Sequence, residues 1–338
     1  MLMPVIRDRM MTDTTYLTTE TRILHRLCSD IASELGITMT SFSEGWVIRL
    51  EIQGIRRHIY GHNFELNSAT ARNIASDKAA TVAILRGDNV PCVEHRLFRH
   101  PDINSYVDPQ GNWNNMRQFA SAHNYDIVCK PNESSGGHRV FHVTNPRALE
   151  AAVHELFTTE RSICLCPYIE AEREIRVIIL NDNVELIYAK HRPTVTGDGR
   201  STIAELINKS SNNQADPDSL MTLLKETPDE SRFSLSYIPD AGQIVPLGWK
   251  HNLRTGGQPS IVADSKAEEL ARKAAASINL AFGAVDILDT AQGQYVLEIN
   301  SGFMVTHFVR SVPDGENIAR DIYRKAIRSM FPEILTFR

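Results

Sequence analysis

In the stretch GQYVLEINSGF, residues 293 to 303, a carboxylate and a carboxamide, Glu298 and Asn300, stand two positions apart in a run otherwise suited to a buried strand. Side chains alternate faces along a strand, so Glu298 and Asn300 point one way, with Val296 behind them on the same face. Asp286 lies in the preceding apolar run FGAVDIL, and a short connection containing Gly293 predicts that the two strands are antiparallel neighbours. The oxygens of Asp, Glu and Asn are hard donors suited to magnesium, which keeps several waters and completes its shell with phosphate. The competing reading is three isolated polar residues on the solvated face of an edge strand.

A second set of residues suits phosphate. Lys130 ends the apolar run YDIVCKP and is followed by the loop NESSGGH, where Gly136 and Gly137 let the backbone approach an anion and turn its N–H groups toward it. This is not the GxxxxGK[ST] pattern, so the P-loop fold is not indicated. Lys78, in SDKAAT, reads on its own as a solvated helix lysine.

The elements that must position these residues alternate between helix and strand. Ile23, Leu27, Ile31 and Leu35 recur every four positions from Thr18 on, and Gly36 follows as a stop, which predicts one amphipathic helix. WVIRLEIQGIRRHIYG reads as two strands around Gly54. SATARNIASDKAATVAILRG reads as a helical pattern ending near Gly87, and VPCVEH as a strand. After YDIVCKP and RVFHV, Asn145 and Pro146 predict the cap and first residue of a helix with Leu149, Val153, Leu156 and Phe157 on one face. Two strands then turn at Asn181 to Asn183, and Thr202 with Glu205 forms a capping box. SSNNQADPDS reads as a mobile loop; strand QIVPL, a helix over 265–279 and the two strands described first complete the chain.

Composition bounds the function. The chain has 338 residues, 42% hydrophobic and 23% charged, with a formal net charge of -5, enough for two or three packed subdomains and without the basic stripe that nucleic acid requires. No apolar run approaches the roughly 20 residues needed to cross a bilayer, and the first fifteen residues read as a disordered tail rather than a secretory signal. Five cysteines without a CxxC pair signal neither a disulfide framework nor a zinc site, and they fit a reducing cytoplasm. Cys164 and Cys166 read as core residues.

Taken together, these motifs resemble the ATP-grasp superfamily, most closely the ATP-grasp portions of cyanophycin synthetase and the bifunctional glutathione synthetases. The resemblance runs from about Asn73 to Phe308. DKAATVAILRGDNVPCVEH looks like the helix and strand carrying the first phosphate lysine, although Asp-Asn-Val replaces the usual Gly-Val. IVCKPNESSGGHRV looks like the loop that closes over the triphosphate, and CPYIEAEREIRVIIL like the adenine hinge. RPTVTGDGRSTIAELI and NLRTGG are similar to segments of cyanophycin synthetase, and VDIL with LEINSGFM to the metal-binding end.

The resemblance implies an α+β ATP-grasp fold: an N-terminal pre-ATP-grasp unit over 1–72, a central subdomain over 73–165 with a lid loop at 131–138, and a C-terminal subdomain over 166–338, the last two gripping ATP between them. It implies ATP contacts from Lys78, Lys130, Ser135, Gly136, Gly137, Cys166, Tyr168, Ile169, Glu174 and Arg176, with Glu174 holding the ribose in preference to Glu170 or Glu172. Asp286, Glu298 and Asn300 would bind two magnesium ions, manganese being the other candidate. Arg192, Lys250 and Asn252 would act in catalysis, and Arg254, Ser301 and Gly302 would meet the substrate. The implied reaction is ATP-dependent joining of a carboxylate to an amine through an acyl phosphate, between small amino-acid-like molecules. A phosphotransferase is the alternative. Nucleic acid and membrane are not expected as partners, and a homodimer stays open.

Overall fold

The computed structural model of the chain describes residues 23–102, 108–134, 136–137, 139–211 and 234–334. The amino-terminal tail and most of SSNNQADPDS lie outside the described residues. The chain divides into two compact units.

One unit holds the described residues up to Leu66, Met304–Thr306 and those from Glu316 on. Helix α1 (Ile23–Glu34) turns Leu24, Leu27, Cys28, Ile31 and Ala32 inward, and Gly36 ends it with φ 67°. Strands β1 (Thr38–Phe42), β2 (Val47–Ile52), β3 (Ile55–Tyr60) and β4 (Asn63–Phe64) form an antiparallel sheet. Gln53 and Gly54, both at positive φ, make the tight turn between β2 and β3 that the glycine predicted. A late segment closes this unit: Phe64 stacks on Tyr323 at 5.5 Å, and Arg57 donates to the Met330 carbonyl at 2.8 Å.

The other unit, Asn67–Phe303 with His307–Gly315, carries every candidate residue. Its larger sheet has the strand order β13-β10-β9-β14-β15. These are β9 (Arg173–Leu180), β10 (Asn183–His191), β13 (Gln258–Ile261), β14 (Phe282–Thr290) and β15 (Gly293–Asn300), each antiparallel to its neighbour. One face is apolar: Ile175, Val177, Ile179, Val285 and Ile287 pack with Ala271, Ala274 and Leu85 from the helices. The alternate residues, Glu174, Arg176, Lys190 and Asp286, therefore share the opposite face.

The smaller sheet runs β5-β8-β6-β7, from β5 (Arg96–Arg99), β6 (Ile127–Pro131), β7 (Phe141–Val143) and β8 (Ser162–Pro167). Helices α4 (Pro109–Ala122) and α5 (Pro146–Phe157) cover one face through Met116, Phe119, Leu149 and Leu156. As predicted, Asn145 caps α5 by accepting from Ala148 N at 2.9 Å, with proline at the first helical position. An apolar cluster of Val93, Val128, Cys166, Ala171 and Leu288 joins the two sheets.

Two expectations are corrected. The helical pattern from 69 to 87 is two helices, α2 (Ala69–Ser76) and α3 (Lys78–Gly87), because Asp77 in extended backbone ends the first and caps the second, accepting from Ala80 N at 2.8 Å. VPCVEH is not a strand of a sheet. It makes one parallel bridge, Cys92 to Val296, as the chain crosses from one sheet to the other, where β5 begins. Farther on, β11 (Thr194–Thr196), β12 (Ile244–Pro246) and α6 (Ile203–Ser211) pack around Val195, Ile203 and Val245. The Thr202–Glu205 capping box forms in both directions, at 2.9 and 3.2 Å.

Candidate active site

The strand pair that carries the acidic residues is irregular at one point. Asp286 faces Glu298 across the ladder, while Ile287 faces Val296, so Leu297 is an extra residue opposite none: a β-bulge. Val296 and Ile299 both reach the helix-covered core, although they are three residues apart. Glu298 and Asn300 keep the other face with Asp286. The expectation that Val296 shares the face of Glu298 is thus overturned, since the bulge slips the two-residue alternation between them. Asn300 Nδ2 donates to Asp286 Oδ2 and to Glu298 Oε1, both at 3.2 Å, so the three residues do come together.

Asp286 is fully buried and already surrounded by cations. Arg176 grips it with Nε to Oδ1 at 2.7 Å and a second nitrogen to Oδ2 at 2.5 Å, a bidentate fork, and Lys190 Nζ adds a contact at 3.3 Å. Lys190 also pairs with Glu174, its cross-strand partner. Burial alone raises the pKa of Asp286, but Arg176 and Lys190 outweigh it and hold the carboxyl well below the usual range. Glu174 moves the other way: its burial and the nearby Asp286 charge exceed the relief from Lys190, and its pKa is raised. Arg176 and Lys190, despite burial, are both raised by the acids they hold.

Two further lysines approach this face, one from helix α3 and one from the smaller sheet. Lys78, at the start of α3, is 7% exposed and donates to the carbonyls of Asn132 and Ser134 at 3.4 and 2.5 Å, which ties the helix to the base of the glycine loop. Burial lowers its pKa, and Glu298 counteracts this. Lys130, on β6, is raised, the neighbouring Cys166 and Cys164 sulfurs and the Glu298 and Glu174 carboxylates exceeding the opposing burial. Lys78, Lys130, Arg176 and Lys190 thus set four cations against Glu174, Asp286 and Glu298, an excess of positive charge suited to a phosphate chain.

The glycine loop bends over the segment from 250 to 252. Lys250 Nζ donates to Gly137 O at 3.4 Å, and Asn252 Nδ2 to Gly136 O at 3.3 Å. Both glycines have positive φ, and a Cβ on Gly137 would stand 3.0 Å from Asn252 Nδ2. Arg192 pairs with Glu170 at 2.6 Å. His251 is buried beside Arg192 and Lys190, and burial foremost, then those two charges, lowers its pKa from 6.5 to about 4.

At the hinge, Cys166 lies in the apolar cluster between the sheets, with Tyr168 and Ile169 packed against it. The Tyr168 N–H is taken by the Asp126 carbonyl at 2.9 Å, while its hydroxyl donates to Glu170 at 2.5 Å. Tyr168 also meets His142 at 4.2 Å and Trp249 at 5.8 Å between ring centroids. Ser135 lies outside the described residues. Ser301 and Gly302 directly follow Asn300, the Ser301 carbonyl accepting from Asn67 at 3.4 Å. Arg254 stands exposed on a one-turn helix after Asn252, and its charge contributes to lowering the pKa of His307, after burial and Arg310.

Sequence reasoning missed Lys190 and Trp249. Lys190 interrupts the apolar run LIYAKH, which was the available signal. For a divalent cation, the donor set is uneven: Glu298 Oε2 and Asn300 Oδ1 accept no hydrogen bond from the described residues, whereas both Asp286 oxygens are taken. Among the described residues, no three His, Cys, Asp or Glu are grouped to hold a metal. Glu298 and Asn300 fit one hard cation.

The fold is that of the ATP-grasp proteins. Residues 248–326 match the RimK-like ATP-grasp domain. It is 24% identical to the cyanophycin synthetase of Trichormus variabilis over 327 aligned positions, covering 89% of this chain and 34% of that protein. It is 27% identical to the glutathione biosynthesis bifunctional protein GshAB of Listeria monocytogenes over 188 positions, 51% of this chain and 24% of that one. The chain therefore spans about a third or less of the curated relatives it matches. Among solved structures, the bifunctional glutathione synthetase of Pasteurella multocida superposes with a TM-score of 0.54 at 18% identity, covering 94% of this chain and 43% of that one. The D-alanine–D-alanine ligase of Bacillus anthracis gives 0.50 at 12%, covering 80% and 73%. No helix among the described residues is long and apolar enough to cross a membrane.

Proposed function

We propose that the protein is an ATP-dependent ligase that joins a carboxylate to an amine and releases ADP and phosphate. The observation that carries this reading is the convergence of Lys78, Lys130, Lys190 and Arg176 on one acidic sheet face, with the Gly136–Gly137 loop tied to Lys250 and Asn252. The similarity to cyanophycin synthetase and to glutathione-forming proteins supports the reaction class, and nothing favours the phosphotransferase.

In this reading the apolar cluster of Val128, Cys166, Ile169 and Leu288 takes the nucleobase, Glu174 the ribose, and Lys78, Lys130 and Lys190 the phosphates. A divalent cation held by Glu298 and Asn300 supplies charge neutralisation on the phosphate oxygens when bound. The substrate carboxylate attacks the γ-phosphorus, giving an acyl phosphate and ADP; the amine then attacks the acyl carbon and phosphate leaves. Arg192, Lys250 and Asn252 stabilise the charge that grows on the transferred group and on the tetrahedral oxyanion. Lys250 offers a point charge rather than a fork. The Gly136–Gly137 loop excludes water, which would otherwise hydrolyse the acyl phosphate. Arg254, Ser301 and Gly302 line the path of an amino acid or short peptide.

The test is pairwise incubation of amino acids with ATP and magnesium, reading ADP and phosphate. Amine-dependent release, and a hydroxamate when hydroxylamine replaces the amine, is the expected result. ADP formation that ignores the amine and yields a stable phosphorylated product would sink the proposal.

A further inference from the structure

Asp286 shares a strand pair with Glu298, yet the two carboxylates have different hydrogen-bond partners. We infer that Asp286 is an anchor for two protein-borne cations, Arg176 and Lys190, and that the site takes a single divalent ion, through Glu298 and Asn300.

Asp286 is fully buried, and its oxygens meet three donors: Arg176 on both, Lys190 on Oδ1 and Asn300 on Oδ2. A second dication entering beside Asp286 would stand within contact range of a guanidinium and an ammonium. That repulsion acts in a buried setting, where screening is weak. Glu298 is half-buried; among the described residues its hydrogen bond comes from the neutral Asn300 amide on Oε1, and the Lys78 and Lys130 charges act on it through space rather than as hydrogen-bonded partners. The Asn300 amide bridges the two carboxylates through its nitrogen, which leaves its carbonyl oxygen for the same ion as Glu298. The guanidinium and ammonium thus place two permanent positive charges where a second ion would otherwise do so.

This inference rests on the nucleotide-binding reading above, so the experiment separates the two. Mn2+ is titrated against the full chain, with and without saturating ADP, and bound ion is counted by electron paramagnetic resonance. ADP occupancy is measured independently by equilibrium dialysis. One ion per chain is expected, with affinity lowered at least about tenfold by Glu298→Gln and changed less than about threefold by Asp286→Asn. Circular dichroism melts verify that each variant is folded, and the wild-type count needs no variant. Two ions per chain, or an Asp286→Asn loss equal to that of Glu298→Gln, overturns the inference. Should ADP fail to bind, the ligase reading falls, and the nucleotide-free titration still decides the role of Asp286.

Discussion

Replacing Lys190 with methionine keeps a long unbranched side chain and removes one charge from a buried cluster. At the 3.3 Å separation from Asp286, an effective dielectric of about 20 gives a pair energy of about 5 kcal/mol. Removing one partner of a buried pair typically costs about 3–5 kcal/mol, because the remaining charge is left uncompensated. In a unit of this size each kcal/mol moves the melting temperature by about 2–4 °C, so a drop of roughly 6–20 °C is expected. The pH dependence is the sharper signature. Glu174 already has a raised pKa, mainly from burial, and Lys190 is what restrains it. Without Lys190 the folded protein binds a proton at Glu174 more tightly than the unfolded chain does. Its stability therefore falls as pH rises through that raised value and recovers on mild acidification. Melts of wild type and Lys190→Met from mildly acidic to mildly alkaline pH measure this directly. A loss under about 1 kcal/mol, the range of an exposed pair, or parallel pH profiles for the two proteins, would refute the buried-cluster argument.

Further outcomes follow from the same geometry. His251 has its pKa lowered from 6.5 to about 4, so its neutral form contributes stability above pH 6.5 that is lost as pH falls toward 4; His251→Gln should flatten that acid limb, worth at most about 3 kcal/mol, in melts across the same range. Gly137→Ala places a methyl 3.0 Å from Asn252 Nδ2 at a residue with φ 71°, so ADP formation should slow about tenfold, from about 1–2 kcal/mol of backbone strain, with the melting temperature lowered by no more than about 8 °C. Thr202→Ala removes the hydroxyl that accepts from Glu205 N at 3.2 Å and should cost about 1 kcal/mol in chemical unfolding, without effect on nucleotide binding.

What the sequence revealed and what it hid divide along physical lines. The Asn145 cap and the Thr202–Glu205 box were legible because both ends of each interaction lie within three residues. The antiparallel pairing of Asp286 with Glu298 was legible from the short connection between two apolar runs. Lys190 was not, because its contact with Asp286 on β14 reaches across β9 and depends on the order of the whole sheet, although its other partner, Glu174, lies in the preceding strand of the same hairpin. Asp77 hid the break between α2 and α3 by serving both helices, leaving the apolar periodicity uninterrupted. Val296 and Ile299 did leave a trace of the bulge: two core residues three apart do not fit an uninterrupted strand.

That surplus residue makes apolar character, rather than chain length, the guarded property of this segment. Leu297 should accept other apolar side chains with little consequence. Deleting it would leave Val296 opposite Ile287 and Glu298 opposite Asp286 in regular register, so the carboxylate, the carboxamide and the isoleucine beyond it keep their faces, and what is lost is an apolar side chain packed beside Val93, Cys166 and Leu288. A single-codon loss there should therefore spare the strand register, and its cost should fall on the apolar cluster between the sheets, as with a polar substitution at the same place.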